Sequence, residues 1–240
     1  MEIDKFKKHT SSQFNKDMDA IRSKLLLMGG LVELQIENAG KAFMLADMEL
    51  AEQVLQQESV INQGELDIDR ECVEILAKRQ PIAIDLRLVL ATIHIIRDLE
   101  RIGDEASRIA KMAIHIQENE SLLKPQQYYE IHHLVNLVKA MLHQALDAFA
   151  RLELDAVVAI KNEDINVDRE YGSIVRQLIS RMMEDPRNVR RALDVLWTVR
   201  SLERIGDHVC NICEHVIYIV KGEDVRHISQ EELAKRALGW

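Results

Sequence analysis

The residues best placed to do chemistry are two pairs of carboxylates that share one six-residue sequence. "LERIGD" occurs twice, 103 residues apart, so Glu100 and Asp104 recur as Glu203 and Asp207. A spacing of four residues puts both members of a pair on the same face of a helix. Like charges at that spacing repel by roughly 0.2–0.5 kcal/mol unless something neutralises them. The repeated pair therefore predicts a cation site.

A glycine lies between the two carboxylates in both copies. Gly103 and Gly206 fall inside the helical pattern, where glycine is about 1 kcal/mol less favourable than alanine. Its presence in both copies predicts the close approach of another helix or of a bulky ligand group. The alternative is that the carboxylates only form salt bridges on a solvated surface with the nearby arginines, Arg97, Arg101, Arg200 and Arg204.

The helix before each motif offers a second pair of carboxylates. Glu65 and Asp69 stand in the first copy where Asp164 and Asp168 stand in the second. Two such pairs on adjacent helices form an all-oxygen site, which suits magnesium, manganese or iron. Zinc is less indicated, because the first copy has no cysteine near the motif and its closest histidine, His94, is six residues upstream. We expect divalent or trivalent metal ions as cofactors.

Two histidines and one Glu/His pair are weaker candidates. His208 and His215 lie near Asp207 and are expected to reach a metal in the second copy only. Glu130 and His133 have the E-x-x-H spacing of di-iron bundles, but such sites need two of these motifs. We interpret this pair as helix surface.

The cysteines predict packing rather than chemistry. Cys210 and Cys213 form a C-x-x-C, but they occupy the places of Ser107 and Ala110 in the first copy, which indicates small residues on a buried helix face. Three cysteines without framework spacing favour a reducing compartment. No nucleophile and base pair or phosphate-binding glycine loop is recognisable, so we expect a protein that is not an enzyme.

Charge and hydropathy exclude several classes of protein. A net charge of -9 with no basic stripe argues against nucleic-acid binding. The amino-terminal sequence "MEIDKFKKHT" lacks the apolar core of a secretion signal, and no apolar run approaches the roughly 20 residues that span a bilayer. We expect a cytoplasmic protein that meets membranes only through its partners.

The positioning elements are predicted to be helices throughout. Apolar residues recur at spacings of three and four, and each of the three prolines falls at a break in the pattern. The predicted helices are 11–45, 47–79, 83–118, 126–150, 153–184 and 187–221. The repeat then makes the chain an elongated all-α protein of two pseudo-symmetric antiparallel three-helix bundles, 1–122 and 123–240.

The duplicated "ERIGD", in an all-helical chain of this length, resembles the PhoU family of accessory regulators of bacterial phosphate uptake. The resemblance runs from about His9 to Glu232. Further segments carry it: "MGGLVE" from Met28, "AKRQP" from Ala77, "DLRLV" from Asp85, "LDAFAR" from Leu146, "VRQL" from Val175, "MMED" from Met182, "NICE" from Asn211 and "YIVKGEDVRHIS" from Tyr218.

The resemblance implies a fold, a site and a role. Members have two three-helix bundles, often pair as homodimers, and in some cases hold metal clusters at the motif that falls here on Glu100, Asp104, Glu203 and Asp207. It implies repression of the phosphate-starvation (Pho) response at high phosphate. The implied partners are the ATPase subunit of the phosphate ABC transporter and the PAS domain of the sensor kinase PhoR. The alternative is a helical-bundle metal protein, either a carboxylate-bridged enzyme or a metal store.

Overall fold

The computed structural model describes residues 12–118, 125–226, 228, 232–233 and 235–236. These residues contain six α-helices and no strand. The helices are α1 (Ser12–Leu45), α2 (Met48–Arg79), α3 (Ala83–Glu118), α4 (Pro125–Arg151), α5 (Asp155–Glu184) and α6 (Val189–Lys221). The all-α prediction is confirmed, and each predicted boundary lies within two residues of the observed one.

Local chemistry explains where the helices begin and end. Asp47 caps α2, because its side chain accepts a hydrogen bond from the backbone N–H of Leu50 at 3.0 Å. Pro125 is the first residue of α4, where the missing N–H of proline costs nothing. A short 3₁₀ helix, Pro186–Asn188, precedes α6 where the sequence predicts the start of that helix. Gly222 closes α6 with a left-handed φ of 77°.

The helices form two bundles of three. Helices α1, α2 and α3 pack against one another, and so do α4, α5 and α6. The bundles meet mainly where α3 lies against α6, with α1 against α4 beside it. The motif helices α3 and α6 are therefore the central ones, and the outer helices α2 and α5 each cover one face of a motif helix. None of the described helices combines the length and the apolar character needed to cross a membrane.

A polar network joins the bundles at the α3 and α6 contact. One oxygen of Asp98 lies 2.9 Å from Nδ1 of His208 and accepts a hydrogen bond from Asn211 at 3.1 Å, while Nε2 of His215 lies 3.6 Å from the other oxygen. A second link joins the carboxylate of Glu105 to Arg204 at 3.1 Å. Burial alone would raise the pKa of Asp98, but its bonds to the two histidines and to Asn211 outweigh burial and lower it.

We expect Asp98→Asn to lower the free energy of unfolding by about 1–2 kcal/mol at pH 7, because the variant loses acceptor capacity at a partly buried network. The pKa of Asp98 is lower in the folded than in the unfolded state. Its stabilising contribution is therefore complete above the unfolded pKa of about 4 and is lost as the pH falls through the folded pKa. Urea unfolding at pH 7 and at pH 3 measures both effects. An equal deficit at the two pH values would contradict the assignment.

Candidate functional site

Three of the four predicted first-copy carboxylates, Glu65, Glu100 and Asp104, come together between α2 and α3. The pKa of Glu100 is raised, first by burial and then by repulsion from Asp104, Glu65 and Glu58. Glu58 is a residue that sequence analysis missed. It precedes Glu65 by seven residues, which places it two turns away on the same face of α2. This spacing could have predicted that Glu58 faces the site.

Two arginines accompany this first cluster. Nε of Arg101 lies 3.5 Å from Glu100, and Nη2 of Arg97 lies 3.8 Å from Asp69. Asp69 therefore stands beside a cation, while Glu100 still feels net repulsion from its acidic neighbours. Both arginines are largely exposed, and exposed ion pairs of this kind contribute about 0–1 kcal/mol. The salt-bridge interpretation thus accounts for part of the first site.

The second-copy carboxylates come together between α5 and α6. The pKa of Asp207 is raised by burial and by Asp168, and the pKa of Glu203 by burial and then by Asp207, Asp168 and Asp164. Burial and the charges of Asp168 and Asp207 also raise the pKa of Asp164, against a hydrogen bond with Cys210. All four predicted residues therefore lie close enough to repel one another.

One oxygen of Glu203 is unsatisfied in this group. Arg200 donates a hydrogen bond to its Oε1 at 2.7 Å, whereas Oε2 is buried without a hydrogen-bond partner. A buried acceptor without a partner costs roughly 1–3 kcal/mol. A bound cation would both satisfy this oxygen and relieve the repulsion around it.

The glycines of the motif lie where a neighbour approaches closely, as predicted. A Cβ on Gly206 would stand 3.0 Å from Oδ1 of Asp164, and a Cβ on Gly103 would stand 3.0 Å from Oε1 of Gln35. The neighbour is a site carboxylate of α5 in the second copy but a buried α1 glutamine in the first. The two sites are thus related by duplication without being identical.

We expect Gly206→Val to lower the free energy of unfolding by about 1–3 kcal/mol, because its branched Cβ would push α5 and its carboxylates away from α6. Gly64→Ala in α2 is the control, since a Cβ there meets nothing within 4 Å. Relief of the glycine cost should make that variant up to about 1 kcal/mol more stable. Chemical unfolding of both variants is the measurement, and destabilisation by Gly64→Ala alone would refute the steric argument.

The second-copy carboxylates have the oxygen ligands that a hard cation prefers, although their side chains are not grouped around a single point in this structure. Among the described residues, no three or more histidine, cysteine, aspartate or glutamate side chains are grouped as a metal would require. The four second-copy carboxylates nevertheless supply only oxygen donors, carry excess negative charge and include the unsatisfied Glu203 oxygen. Those are the properties that magnesium, manganese and iron ions favour.

The histidine candidates have other contacts in this conformation. His208 and His215 contact Asp98 rather than Asp207. His133 lies 2.9 Å from Glu170 of α5, and Glu130 accepts a hydrogen bond from Gln177 at 2.8 Å. The E-x-x-H pair thus ties α4 to α5 at the surface.

The cysteines are packing residues, as predicted. Cys72, Cys210 and Cys213 are all buried and unpaired with one another. Burial raises the pKa of Cys213 to about 12 and also raises that of Cys210. Both thiols are therefore protonated at neutral pH, and a protonated thiol is neither a good nucleophile nor a good metal ligand.

Comparisons with known proteins identify relatives over almost the whole chain. A family model described as the PhoU domain matches twice, at residues 25–113 and 131–216. The Phosphate-specific transport system accessory protein PhoU homolog of Pseudomonas aeruginosa is 51% identical over 221 residues, covering 92% of this chain and 90% of that protein. The Phosphate-specific transport system accessory protein PhoU of Escherichia coli K12 is 44% identical, covering 97% and 95% respectively.

Solved structures agree with these matches. The crystal structure of PhoU from Pseudomonas aeruginosa superposes with a TM-score of 0.84 at 49% identity, over 88% of this chain and all of that one. The phosphate transport system regulatory protein PhoU from Streptococcus pneumoniae superposes with a TM-score of 0.81 at 30% identity, over 88% and 99%.

Proposed function

This chain belongs to the PhoU family, and from that membership we propose that it is a non-enzymatic regulator of bacterial phosphate uptake. The observation that carries the proposal is near-full-length similarity to relatives named as accessory proteins of the phosphate-specific transport system. The twofold match of the PhoU domain agrees with the duplicated carboxylate motif. In this role the protein has to change its contacts with partners rather than turn over a substrate.

The regulator represses the phosphate-starvation response when phosphate is plentiful. It does so in the cytoplasm by coupling the phosphate ABC transporter, through its ATPase subunit, to the PAS domain of the sensor kinase PhoR. It acts as a homodimer and reaches the membrane only through these partners. Support comes from the family membership and from the two long motif helices, which run side by side and join the bundles into one body.

The two predicted metal sites would make the surface charge of this regulator depend on whether metal ions are bound. Glu100, Asp104 and Glu65 would hold a divalent or trivalent ion in the first site, with Asp69 beside them. Asp164, Asp168, Glu203 and Asp207 would hold one in the second. The ion would neutralise carboxylates that now repel one another and would tie α2 to α3 and α5 to α6. No described residue is assigned a catalytic step, and the surface contacts of Glu130 and His133 give the enzyme alternative no support.

A reporter of the phosphate-starvation response tests the proposal. Deletion of the gene should switch the reporter on in phosphate-rich medium, and plasmid-borne parent protein should restore repression. Metal-site variants that fold normally should restore it only in part. A deletion strain that stays fully repressed in phosphate-rich medium would rule out the regulatory role, whatever metal the purified protein contains.

A further inference from the structure

Gln35 of α1 is a buried polar side chain that lies between α2 and α3. It is only 1% exposed. Its Nε2 donates hydrogen bonds to the backbone oxygen of Val54 at 3.3 Å and to Oγ of Ser107 at 3.2 Å. Because the Val54 oxygen can only accept a hydrogen bond, it fixes which end of the amide is the nitrogen. The position of the amide oxygen follows from this orientation.

The oxygen of this amide makes no hydrogen bond. Oε1 of Gln35 is buried and has no partner among the described residues. An amide oxygen that leaves water without gaining a donor or a cation costs free energy. Native proteins contain few such groups, and each of them needs an explanation. The Gln35 oxygen is therefore a candidate ligand atom.

Gly103 places this oxygen beside the first carboxylate pair. A Cβ at Gly103 would stand 3.0 Å from Oε1 of Gln35, and the next nearest atoms are two carbons of Ile61 at 3.5 and 3.6 Å. Gly103 lies in α3 between Glu100 and Asp104. Its side-chain direction is about 60° from that of Glu100 and about 100° from that of Asp104 around the helix axis. The Gln35 oxygen therefore reaches the helix face that borders the first site.

The second copy has a site oxygen at the matching place. A Cβ at Gly206, the counterpart of Gly103, would stand 3.0 Å from Oδ1 of Asp164. The charges of Asp168 and Asp207 act on Asp164, which places it among the second-site carboxylates. An oxygen this close to the motif glycine thus belongs to the second site. In the first copy the oxygen at the same distance from the glycine is that of the buried amide.

Gln35 has no polar counterpart in the second copy. The 106-residue offset that relates Phe43 to Phe149 places Gln35 on Met141 of α4. The structure agrees with this alignment, because Cε of Met141 lies 3.9 Å from the Cβ position of Gly206. Methionine has no oxygen to offer. The oxygen beside the glycine therefore comes from α5 in the second copy and from α1 in the first.

The hydrogen-bonding neighbours of the two oxygen-bearing groups are also matched. Ser107 bonds to the amide of Gln35. Cys210, which the 103-residue offset places on Ser107, bonds to the carboxyl group of Asp164. A neutral amide of α1 thus stands in the first copy where a carboxylate of α5 stands in the second.

We propose that Oε1 of Gln35 is a ligand of the first metal site, where it adds a neutral oxygen to the carboxylates of Glu65, Glu100 and Asp104. Amide oxygens bind hard cations as carboxylates do, but without charge. The first site then has three carboxylates and one amide, whereas the second has four carboxylates. Since cation affinity rises with the charge of the ligands, the second site fills first. The proposal rests on the metal sites of the proposed function and assigns them a ligand and an order of filling.

Manganese binding to a protein that has only the first site tests the ligand assignment. Glu203→Gln with Asp207→Asn removes the second site. In this background Gln35→Met should weaken manganese binding about tenfold, because methionine fills a similar volume but has no oxygen. The electron paramagnetic resonance signal of free manganese falls as the ion binds and measures the affinity. Unchanged affinity in Gln35→Met would overturn the proposal.

The matched control is Met141→Leu in a protein that has only the second site. Glu100→Gln with Asp104→Asn provides that background, and Met141 stands there in the place of Gln35. Met141→Leu keeps the volume and removes no oxygen, so manganese affinity should stay within about twofold of its background. An equal loss of affinity in both copies would show that any change beneath the motif glycine disturbs a site, and it would overturn the ligand assignment.

Gln35→Glu separates a metal ligand from a packing residue. This variant keeps an oxygen at the position and adds a charge, but it loses the amide donor. If the oxygen binds the ion, the first-site affinity should equal or exceed that of the parent side chain. A loss as large as that of Gln35→Met would show that the hydrogen bonds to Val54 and Ser107 matter instead, and it would overturn the proposal. Circular dichroism without metal checks that each variant is folded.

The two single-site proteins test the order of filling. The protein with only the first site should bind manganese at least about tenfold more weakly than the protein with only the second. Equal affinities would overturn the assignment of a neutral ligand to the first site. If the parent binds no manganese, the proposal fails together with the metal sites, while the phosphate-starvation reporter still decides the regulatory role. If manganese binds but Gln35→Met has no effect, the ligand assignment alone fails.

Discussion

Replacement of the motif carboxylates by their amides, in Glu100→Gln, Asp104→Asn, Glu203→Gln and Asp207→Asn together, should weaken binding of manganese by more than about 100-fold. Even residues that only orient metal ligands change affinity by 10–100-fold, and this variant removes charged donors from both sites. Without metal the same variant should melt about 2–4 °C higher than the parent, equivalent to about 1 kcal/mol after solvent screening. Calorimetric titration with manganese and thermal melts in chelator measure the two effects.

The pH dependence of the melt gives the sign of the electrostatic effect. Burial and neighbouring carboxylates raise the pKa values of Glu100, Glu203 and Asp207 in the folded state. Their repulsion is therefore complete at neutral pH and is lost as the pH falls through the raised pKa values. The advantage of the amide variant should shrink toward pH 4. Equal manganese affinity in the parent and the amide variant would refute the metal proposal. The control is Glu74→Gln, which replaces an exposed carboxylate of α2. The same loss of manganese affinity in that control would show that the effect is nonspecific.

Truncation of Phe43 or of Phe149 to alanine should each lower the free energy of unfolding by about 3–5 kcal/mol. These phenylalanines are fully buried, one in α1 and the other in α4, at equivalent places of the two bundles. Each truncation removes a large apolar surface and leaves a cavity that long helices cannot collapse around. Urea unfolding followed by circular dichroism measures the loss in the free energy of unfolding for each variant.

The control is Leu27→Ala, which removes a side chain that is largely exposed on α1 and should change stability by less than about 0.5 kcal/mol. Since the two phenylalanines occupy matching positions, their costs should be similar. A Phe149 variant that loses less than about 1 kcal/mol would show that the second bundle is packed much more loosely than the first.

The helices could be predicted because their signals are local. The three- and four-residue spacing of apolar side chains and the prolines at 81, 125 and 186 depend only on nearby residues. The duplication could also be predicted, since an identical motif at a constant offset does not depend on packing. The carboxylates of α2 and α5 were predicted to face the motifs by the same matching of copies. The charges that raise the pKa values of Glu100 and Glu203 include those of Glu65, Asp164 and Asp168, whereas Asp69 lies beside Arg97.

Contacts between the bundles could not be predicted in the same way. The sequence places His208 and His215 near Asp207, but α3 lies against α6 and brings the carboxylate of Asp98 to both rings instead. Periodicity within one helix carries no information about which helix packs against it. Such contacts follow from the relative rotation of packed helices, which distant side chains decide.

Lys111 of α3 and Glu214 of α6 occupy equivalent positions of the two copies, and their difference in charge has a consequence for how the molecule is built. A symmetric dimer of a single three-helix unit would encode these two positions by one codon, so both would carry the same charge. Fusion of the copies into one chain gives each position its own codon. The two ends of the α3 and α6 contact can therefore carry different charges, as Lys111 and Glu214 do in this chain.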